Sequence, residues 1–443
     1  MKKIIAAQKK LVIPTKSLIK SKEEIAHNAL NLVKNEIKKY PSVIGVEFGG
    51  SFAKGTWLAK DADIDIFLKF KESTAEKEFE EFANKIGFSS MKKFNPYVRY
   101  SEHPYVEAQI KNTKINIVPC YDVKKGQWKS SADRSPYHTK FMQNSLTSKM
   151  KDEVRILKTF LKSVGIYGAE IATQGFSGYV SEVLILNFDT FENVIKSISK
   201  IKENHVIGKA SKKFETAITI IDPIDSNRNL AAAISNQNIG KFVLACRSFQ
   251  ANPSNKFFRT SKLKTSVDWD NVLTVKFEFK MRSPDIIWGQ IKRAVSSLST
   301  QLEFGGFRVF RSMPYTDEKK EAYLLFLLES VIIPKRYAKK GPEFFREDGC
   351  KSFIGKNASK TELMWIDNDY KIISLEKRKH DNAITYIKEI LKKNLQTGIP
   401  KGLQNDLRKG FKIYVGSKQL RKSIKEEVLE IISTDEKIFY SNK

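Results

Sequence analysis

The spacing of apolar residues predicts a helix near the start of the chain. From Ser21 to Pro41 the apolar side chains recur at intervals of three and four residues, which places them on one helical face. Ser21 and Glu24 have the spacing of a capping box, which marks a helix N-terminus. Because proline disfavours the continuation of a helix, we expect this one to occupy residues 21–40.

Strand patterns follow this helix. Residues 43–48 have the pattern of a short strand, and Ile64, Ile66 and Leu68 alternate with Asp63, Asp65 and Phe67 in a second one. Gly-Gly-Ser at 49–51 is typical of a turn. Two further runs, 106–111 and 114–118, flank an Asn-Thr pair and predict a hairpin. A mixed sheet with flanking helices is therefore expected in the first part of the chain.

The apolar spacing becomes mainly helical after this sheet. Residues 153–165 and 230–246 each have one apolar helical face. Asn-Pro-Ser-Asn at 252–255 has the composition of a linker, and beyond it 272–281 has a strand pattern and 286–304 a helical one. A third region is expected to begin near this linker.

These patterns predict an α+β fold in three parts. We expect a sheet-bearing part at 1–150, a helical part at 151–253, and a mixed α and β part at 254–443. A chain of 443 residues is long for a single hydrophobic core, which also favours several domains.

The charge of the chain favours an anionic partner. Lysine and arginine outnumber aspartate and glutamate by 78 to 50, which gives a formal charge of +28. The excess is spread along the chain: residues 1–40 contain 10 basic and 3 acidic residues, and residues 371–443 contain 17 and 9. Nucleic acid is the first partner that such a charge indicates.

Cysteine usage and hydropathy bear on the compartment. Cys120, Cys246 and Cys350 are far apart and form no CxxC pair, which argues against a zinc knuckle or a disulfide framework. A reducing, cytoplasmic location is expected. No apolar stretch has the length of a secretory signal core or of a membrane span.

Candidate chemistry lies in Gly49-Gly50-Ser51, followed after eleven residues by Asp63-Ile64-Asp65. Residues two apart on a strand face the same side, so Asp63 and Asp65 are expected side by side. Mg²⁺ would offset their repulsion, since it binds a few carboxylates together with substrate phosphate oxygens. A turn at Gly50 and Ser51 would let backbone N–H groups and a hydroxyl approach a triphosphate. The alternative is an ordinary exposed Asp-x-Asp pair on an edge strand.

Two longer segments make the chemistry more specific. Gly50-Ser51-Phe52-Ala53-Lys54-Gly55-Thr56-Trp57-Leu58 and Asp63-Ile64-Asp65-Ile66-Phe67-Leu68 together resemble the polymerase-β-like nucleotidyltransferase signature. The Thr-Trp-Leu variant is similar to that of the archaeal (class I) CCA-adding enzymes, which are tRNA nucleotidyltransferases. Further segments resemble this family in the expected order, at 100–105, 117–121, 133–138, 153–158, 165–170, 175–179, 222–225 with 228–229, 280–285 and 340–342.

The resemblance implies a fold and an activity. The fold would comprise a polymerase-β-like catalytic head at 1–150, a helical neck at 151–253, and a body and tail at 254–443. The activity would be template-independent addition of CCA to the tRNA 3′ end from CTP and ATP, with two Mg²⁺ ions and release of pyrophosphate. The basic carboxy-terminal part would bind the acceptor and TΨC arms of tRNA. Two alternatives stay open: a related enzyme, such as a poly(A) polymerase or oligoadenylate synthetase, and a tRNA-binding protein with a decayed active site.

The resemblance also implies roles for individual residues. Each of them taken alone also fits an ordinary role, such as a core edge, an exposed side chain or a salt-bridge partner. The implied roles are metal binding and catalysis for Asp63, Asp65 and Asn116; triphosphate binding for Gly50, Ser51 and Lys54; phosphate and sugar contacts for His138, Lys158 and Tyr167; and recognition of the base edge for Arg228.

Two of these positions depart from the family pattern. Lys54 stands where the family usually has arginine, so a bidentate contact becomes a point charge. Asn116 occupies the position of the third carboxylate and offers a neutral oxygen that accepts no proton. Nucleotide binding is expected to survive, whereas activation of the attacking hydroxyl is expected to suffer. Either the chain is an inactivated variant or another ligand replaces the carboxylate, with Glu107 the nearest candidate.

Overall fold

A computed structural model describes residues 1–59, 61–99, 104–260, 269–417 and 424–439 of the chain. It divides the chain into two compact units. Met1–Lys262 together with Thr434–Lys443 form the first unit, and Leu263–Ser433 form the second. The last residues of the chain therefore belong to the first unit although they follow the whole of the second.

The first unit contains nine α-helices and eight strands within the described part of its first 262 residues. The helices are α1 (Lys2–Val12), α2 (Lys16–Ile37), α3 (Gly50–Lys54), α4 (Glu76–Ser90), α5 (Arg134–Ser145), α6 (Ser148–Val164), α7 (Gly178–Phe188), α8 (Phe191–Ser199) and α9 (Asn236–Ala251). The strands are β1 (Val43–Gly49), β2 (Ile64–Lys71), β3 (Tyr97–Arg99), β4 (Tyr105–Ile110), β5 (Thr113–Asp122), β6 (His205–Ile207), β7 (Ile218–Asp222) and β8 (Asp225–Asn229).

The second unit contains α10 to α14 and β9 to β15. The helices are α10 (Pro284–Phe304), α11 (Glu347–Asn357), α12 (Ala383–Lys393), α13 (Lys401–Lys409) and α14 (Lys425–Ile432). The strands are β9 (Val272–Glu278), β10 (Val309–Thr316), β11 (Glu321–Leu328), β12 (Arg336–Glu343), β13 (Thr361–Ile366), β14 (Lys371–Lys377) and β15 (Phe411–Val415). A last helix, α15 (Glu436–Phe439), returns to the first unit.

A five-stranded sheet carries the candidate chemistry. Its strand order is β1-β2-β5-β4-β3, in which only β2 and β5 run parallel. The register pairs Gly49 with Asp65, Asp65 with Asn116, Asn116 with Glu107, and Glu107 with Tyr97. Because directly paired residues point to the same face of a sheet, this row collects the polar side chains on one side.

The other face of the sheet is covered by helices. Apolar side chains of β2, β4 and β5 pack with those of α2 and α4 in one buried core. A second core lies among α6, α7, α8 and α9, where the rings of Phe160, Phe191, Phe249, Phe257 and Phe258 contact one another. The row that contains Asp65, Asn116 and Glu107 therefore lies on a sheet whose opposite face is covered by helices.

The second unit contains two antiparallel sheets. One has the order β10-β11-β9-β15 and shares a core with α10, α12 and α13. The other has the order β12-β14-β13, and α11 lies against it, since a Cβ at Gly341 would lie 2.8 Å from the ring of Phe353. The α+β fold class is confirmed.

Two local expectations were wrong. The first long helix begins at Lys16 rather than at residue 21, because the Thr15 side chain accepts a hydrogen bond from the Leu18 amide and caps it. Residues 49–51 do not form a simple turn, since Gly50 begins the short helix α3. The predicted strands near 43–48 and 64–68 are present in β1 and β2.

The remaining sequence predictions have mixed outcomes. The hairpin is formed by β4 and β5, and the later helical and strand patterns correspond to α6, α9, β9 and α10. Residues 100–103 of the family-like segment lie outside the described residues. Among the helices that the structure describes, none combines the length and apolar content needed to cross a bilayer.

Candidate active site

The start of α3 lies directly against Asp65. Gly50 has a φ of 62°, in the left-handed region, and a Cβ at this position would lie 1.7 Å from Oδ2 of Asp65. Both the backbone conformation and the lack of space therefore require glycine. The glycine of the Gly-Gly-Ser motif thus lies directly beside a carboxylate of the Asp-x-Asp motif.

The two aspartates are costly to ionise in this site. Burial raises the pKa of Asp63, Lys114 opposes this shift, and the neighbouring Asp65 adds to it. Burial also raises the pKa of Asp65, although a hydrogen bond from Asn116 opposes the rise. A bound cation would relieve both costs, because a nearby positive charge favours the ionised carboxylate.

Asn116 faces Asp65 from the adjacent parallel strand. Its Nδ2 donates a hydrogen bond of 2.8 Å to Oδ1 of Asp65. Its Oδ1 is buried and has no hydrogen-bond partner among the described residues. Such an unpaired oxygen is unfavourable in a protein interior, so a ligand that binds it would add stability.

Glu107, the alternative ligand, is already engaged. It is buried in the same row as Asn116, and its carboxylate accepts hydrogen bonds from the Tyr97 hydroxyl and, across 3.2 Å, from Nε of Arg99. Each oxygen of Glu107 thus already has a partner within the protein, whereas Oδ1 of Asn116 has none among the described residues. The geometry therefore favours Asn116 over Glu107 as the third contact.

Two carboxylates and one amide oxygen fit a magnesium ion that also binds substrate. Within the described ranges, no group of three or more His, Cys, Asp or Glu side chains is placed to hold a metal. Mg²⁺ is commonly bound by one or two carboxylates together with phosphate oxygens of the substrate. Asp63, Asp65 and Oδ1 of Asn116 match that arrangement.

A cavity of about 340 Å³ opens beside this row. Five of the residues singled out in the sequence line it: Gly50, Lys54, Asp65, Asn116 and His138. The other lining residues are Phe67, Tyr105, Val118, Ser131, Ala132, Ser135, Thr139 and Tyr179. The cavity therefore brings residues of the sheet together with residues of α3, α5 and α7.

Lys54 is held by a buried glutamate. Its Nζ lies 2.6 Å from Oε2 of Glu182, whose side chain is fully buried on α7. The Thr56 hydroxyl donates to Oε1 of the same glutamate across 2.5 Å, and Nζ of Lys158 lies 3.8 Å from that oxygen. Two lysines expected at phosphates thus share one carboxylate.

The groups of this cluster shift one another's pKa values. Burial alone would raise the pKa of Glu182, but Lys54 and Lys158 hold it below its usual value. Burial lowers the pKa of Lys158 to about 8, although Glu182 opposes the shift. The cluster contains two potential positive charges against one negative charge, which leaves an excess that suits an anionic ligand.

Lys158 and Tyr167 meet behind the cavity. A Cβ at Gly178 would lie 3.1 Å from the Tyr167 hydroxyl and 3.4 Å from Nζ of Lys158, so both groups lie at the start of α7. Lys158 also donates to the backbone oxygen of Thr56 across 3.0 Å. Neither residue is among those that line the cavity.

His138 and Arg228 meet at a second buried carboxylate. Nε2 of His138 lies 2.9 Å from Oδ2 of Asp222, and Nη1 of Arg228 donates to the same oxygen across 3.1 Å. The Tyr179 hydroxyl donates to Oδ1 across 2.9 Å. Burial lowers the pKa of His138, although Asp222 opposes the shift, and the interactions of Asp222 hold its own pKa below the usual value despite burial.

Three site residues were missed in the sequence: Tyr179, Glu182 and Asp222. Glu182 is the only charged residue in the otherwise mainly apolar run 176–188, which is a detectable signal. Asp222 follows the apolar residues of β7 and lies within a family-like segment. Tyr179 also lies within a family-like segment, but its stacking against His138, with ring centroids 3.9 Å apart, could not be predicted from local spacing.

Comparisons with known proteins place these features in a family. Residues 30–141 match the family model of a nucleotidyltransferase domain. Residues 152–259 match that of the second domain of tRNA nucleotidyltransferase, and residues 270–416 match that of the CCA-adding enzyme C-terminal domain. The CCA-adding enzyme of Saccharolobus shibatae is 35% identical over 390 residues, covering 87% of this chain and 90% of the relative. The chain belongs to the archaeal CCA-adding enzymes.

Other CCA-adding enzymes are similar over the same extent. That of Sulfurisphaera tokodaii is 34% identical over 380 residues, covering 85% of this chain and 88% of the relative. The resemblance to the archaeal CCA-adding enzymes and the expected tRNA nucleotidyltransferase activity are both confirmed. The match of a CCA-adding C-terminal domain speaks against the poly(A) polymerase and oligoadenylate synthetase alternatives.

Alignments with solved structures cover part of the chain. Cid1 in complex with the UTP analog UMPNPP aligns at a TM-score of 0.45 and 10% identity, covering 58% of this chain and 97% of that one. E. coli MS115-1 CdnC with ATP aligns at 0.44 and 19% identity, covering 58% and 94%.

Proposed function

We propose that this CCA-adding enzyme extends tRNA from CTP and ATP in the cavity beside Asp65. The terminal 3′-hydroxyl would attack the α-phosphate of each nucleotide and release pyrophosphate. The observation that carries the proposal is the meeting of Asp65, Asn116 and Lys54 at one cavity. The cavity thereby offers a carboxylate to a metal ion and an ammonium group to a triphosphate.

The carboxylate row would hold magnesium. Asp63, Asp65 and Oδ1 of Asn116 are the groups that would bind it, and the unpaired Oδ1 supports this assignment. When bound, Mg²⁺ would neutralise phosphate charge and would make the attacking hydroxyl more acidic. Asn116 itself cannot accept the proton of that hydroxyl, so this step depends on other acceptors.

The triphosphate would lie toward α3. Ser51 and Lys54 are its proposed contacts, with Gly50 allowing the close approach. Lys54 is oriented by Glu182, and its Nζ lies 5.4 Å from the centre of the Tyr179 ring. Lys158 and Tyr167 stay proposed phosphate and sugar contacts, and the buried position of Lys158 supports an effect through Glu182.

Sugar and base would lie toward the Asp222 cluster. His138 lines the cavity and is the proposed sugar contact. Arg228 is the proposed reader of the base edge, since its side chain is 41% exposed while one nitrogen is held by Asp222. Selection of C and then A would depend on that guanidinium.

The division of labour along the chain is part of the proposal. A head at 1–150 and a neck at 151–253 would bind nucleotide and the tRNA 3′ end. The body and tail at 254–443 would bind the acceptor and TΨC arms through backbone and shape. The absence of cysteine pairs supports a cytoplasmic location.

One assay tests the proposal. The protein is incubated with Mg²⁺, tRNA lacking its CCA end, and labelled CTP or ATP, and the products are sequenced. Addition that stops at CCA supports the proposal. A run of A would instead indicate a poly(A) polymerase, and no addition, with tRNA binding retained, would indicate a decayed enzyme.

A further inference from the structure

We infer that Asp222 is a positioning residue that couples recognition of the ribose to recognition of the base in the incoming nucleotide. It would do so by fixing His138 as a hydrogen-bond acceptor for a ribose hydroxyl and by fixing the plane of Arg228. This inference rests on the proposed function, because it assigns a specificity role within the same site.

Asp222 lies behind the cavity wall and reaches three structural elements. It ends β7, and its carboxylate is fully buried. His138 comes from α5, Tyr179 from α7 and Arg228 from β8, and all three side chains bond to this carboxylate. Asp222 is not among the residues that line the cavity, so it acts through the others.

The bond to Asp222 determines which nitrogen of His138 remains for a ligand. Oδ2 of the ionised carboxylate can only accept, so Nε2 of His138 must carry the proton across the 2.9 Å contact. In the neutral ring the other nitrogen, Nδ1, then carries a lone pair. A group that accepts hydrogen bonds suits a sugar hydroxyl and does not suit a phosphate oxygen.

The same oxygen restrains Arg228. Nη1 is bonded to Oδ2, whereas the guanidinium remains partly exposed. A planar group held at one edge presents its other N–H donors in a defined plane. Since His138 and Arg228 share Oδ2, a change at that atom alters the sugar contact and the base contact together.

The rest of the cluster makes the carboxylate rigid. Oδ1 accepts from the Tyr179 hydroxyl across 2.9 Å and from the Ile224 amide across 3.1 Å. The ring of Tyr179 stacks on His138 with centroids 3.9 Å apart. Asp222 thus has little freedom to follow a displaced partner, and the geometry is set before nucleotide enters.

The test compares Asp222→Asn with wild type in the full chain. Single additions to tRNA lacking CCA are timed with CTP, UTP, 2′-deoxy-CTP and 3′-deoxy-CTP. We expect discrimination of CTP from UTP and from at least one deoxy analogue to fall by at least about tenfold together. Inhibition by pyrophosphate, which reports triphosphate binding alone, should change less than threefold, or about half a logarithmic unit.

Asp225→Asn is the matched control. It makes the same substitution three residues further on, at a carboxylate that pairs with Arg134 across 3.7 Å. Both discriminations should stay at the wild-type level in this variant. Loss in both variants, or equal loss toward all four nucleotides in Asp222→Asn, would indicate general damage to the site and overturn the inference.

A direct measurement on the wild-type protein covers the case in which Asp222→Asn does not fold. The chain contains five histidines, so ¹⁵N-histidine labelling resolves the His138 ring, assigned through His138→Gln. We expect the neutral form with the proton on Nε2. A proton on Nδ1 would overturn the inference even if wild type adds CCA normally, whereas failure of wild type to add CCA would contradict the proposed function instead.

Discussion

Nδ2 of Asn116 donates a hydrogen bond of 2.8 Å to Oδ1 of Asp65, its partner in the parallel register of β2 and β5. A neutral donor therefore occupies the position where the family resemblance implies an anionic ligand. The bond compensates part of the cost of burying Asp65, since it opposes the rise that burial causes in the pKa of this carboxyl. We therefore expect Asn116 to stabilise the metal-free site and to slow activation of the attacking hydroxyl.

Asn116→Asp is expected to increase turnover. The new carboxylate would add a charge beside Asp65 and an acceptor near the attacking hydroxyl. A positioned general base contributes roughly 10²–10⁴-fold, so single-turnover addition of CTP should rise by at least ~10², with little change in nucleotide affinity. The wild-type chain should bind CTP in Mg²⁺ and add it slowly.

The stability of the same variant gives an independent readout. Without metal, three neighbouring carboxylates should lower the melting temperature, and Mg²⁺ should restore it more than in wild type. Asn112→Asp, in the exposed turn between β4 and β5, adds the same charge away from the site and should show neither effect. Rapid turnover by wild type, unchanged in Asn116→Asp, would move the third contact to Glu107 or another group.

Glu182→Gln is expected to destabilise the first unit strongly. The variant removes the carboxylate that compensates the buried ammonium of Lys54, whose side chain is 7% exposed. Breaking one partner of a buried ion pair typically costs about 3–5 kcal/mol, measurable by denaturant unfolding. Glu192→Gln makes the same change in the exposed pair with Lys196, where about 0.5 kcal/mol is the expected limit. Equal effects at the two sites would contradict a central role for Glu182.

Lys158 should make the free energy of unfolding depend on pH above about pH 8. Its folded pKa of about 8 lies below the value of about 10.4 expected in the unfolded chain. Between these values unfolding takes up a proton, so the contribution of Lys158 to the free energy of unfolding rises with pH, by up to about 1.4 kcal/mol per unit. Below pH 8 both states are protonated and the slope disappears.

Lys158→Gln isolates this contribution. Unfolding free energies of wild type and variant are measured from pH 7 to 9.5, and their difference is plotted against pH. The difference should be flat near pH 7 and should change in favour of wild type above pH 8. A constant difference over the whole range would show that Lys158 keeps an ordinary pKa.

The carboxy-terminal half is expected to supply most of the tRNA affinity. Lys340, Lys356 and Lys360 are exposed in the second unit, and none pairs with a carboxylate in the part of the chain that the structure describes. Replacing all three by alanine should lower the salt dependence of tRNA binding by about two units of slope, because each phosphate contact contributes about 0.7–0.9. Nucleotide binding should not change.

Three exposed lysines of the first unit, Lys2, Lys3 and Lys10, provide the comparison. Their replacement by alanine removes the same charge from α1. The salt slope of tRNA binding should change by less than about one unit. A larger loss in α1 than in the second unit would reverse the assignment of the tRNA surface.

The sequence was sufficient for most of the fold because its elements have strong local patterns. The alternation around Asp65 and the helical period of α6 each depend on neighbours in sequence. The start of α2 was missed because Thr15 caps the helix by a single hydrogen bond, and a second plausible cap follows at Ser21. Local spacing cannot rank two such caps.

The site was only partly predictable for a different reason. Asp63 and Asp65 are two residues apart, so their proximity follows from strand geometry. Glu182 acts on Lys54 from 128 positions away, and Asp222 acts on His138 from 84. Contacts at that separation depend on how helices pack on the sheet, which no short pattern encodes.

The anchoring of α15 has a consequence for synthesis of the chain. Nζ of Lys437 donates to the backbone oxygens of Ser163 and Arg259, and Ile438 lies in the helical core of the first unit. A ribosome must therefore release the entire second unit before the first can close its core. Domains generally fold in the order of their synthesis; here the first unit, although most of it is made first, is the last to be completed.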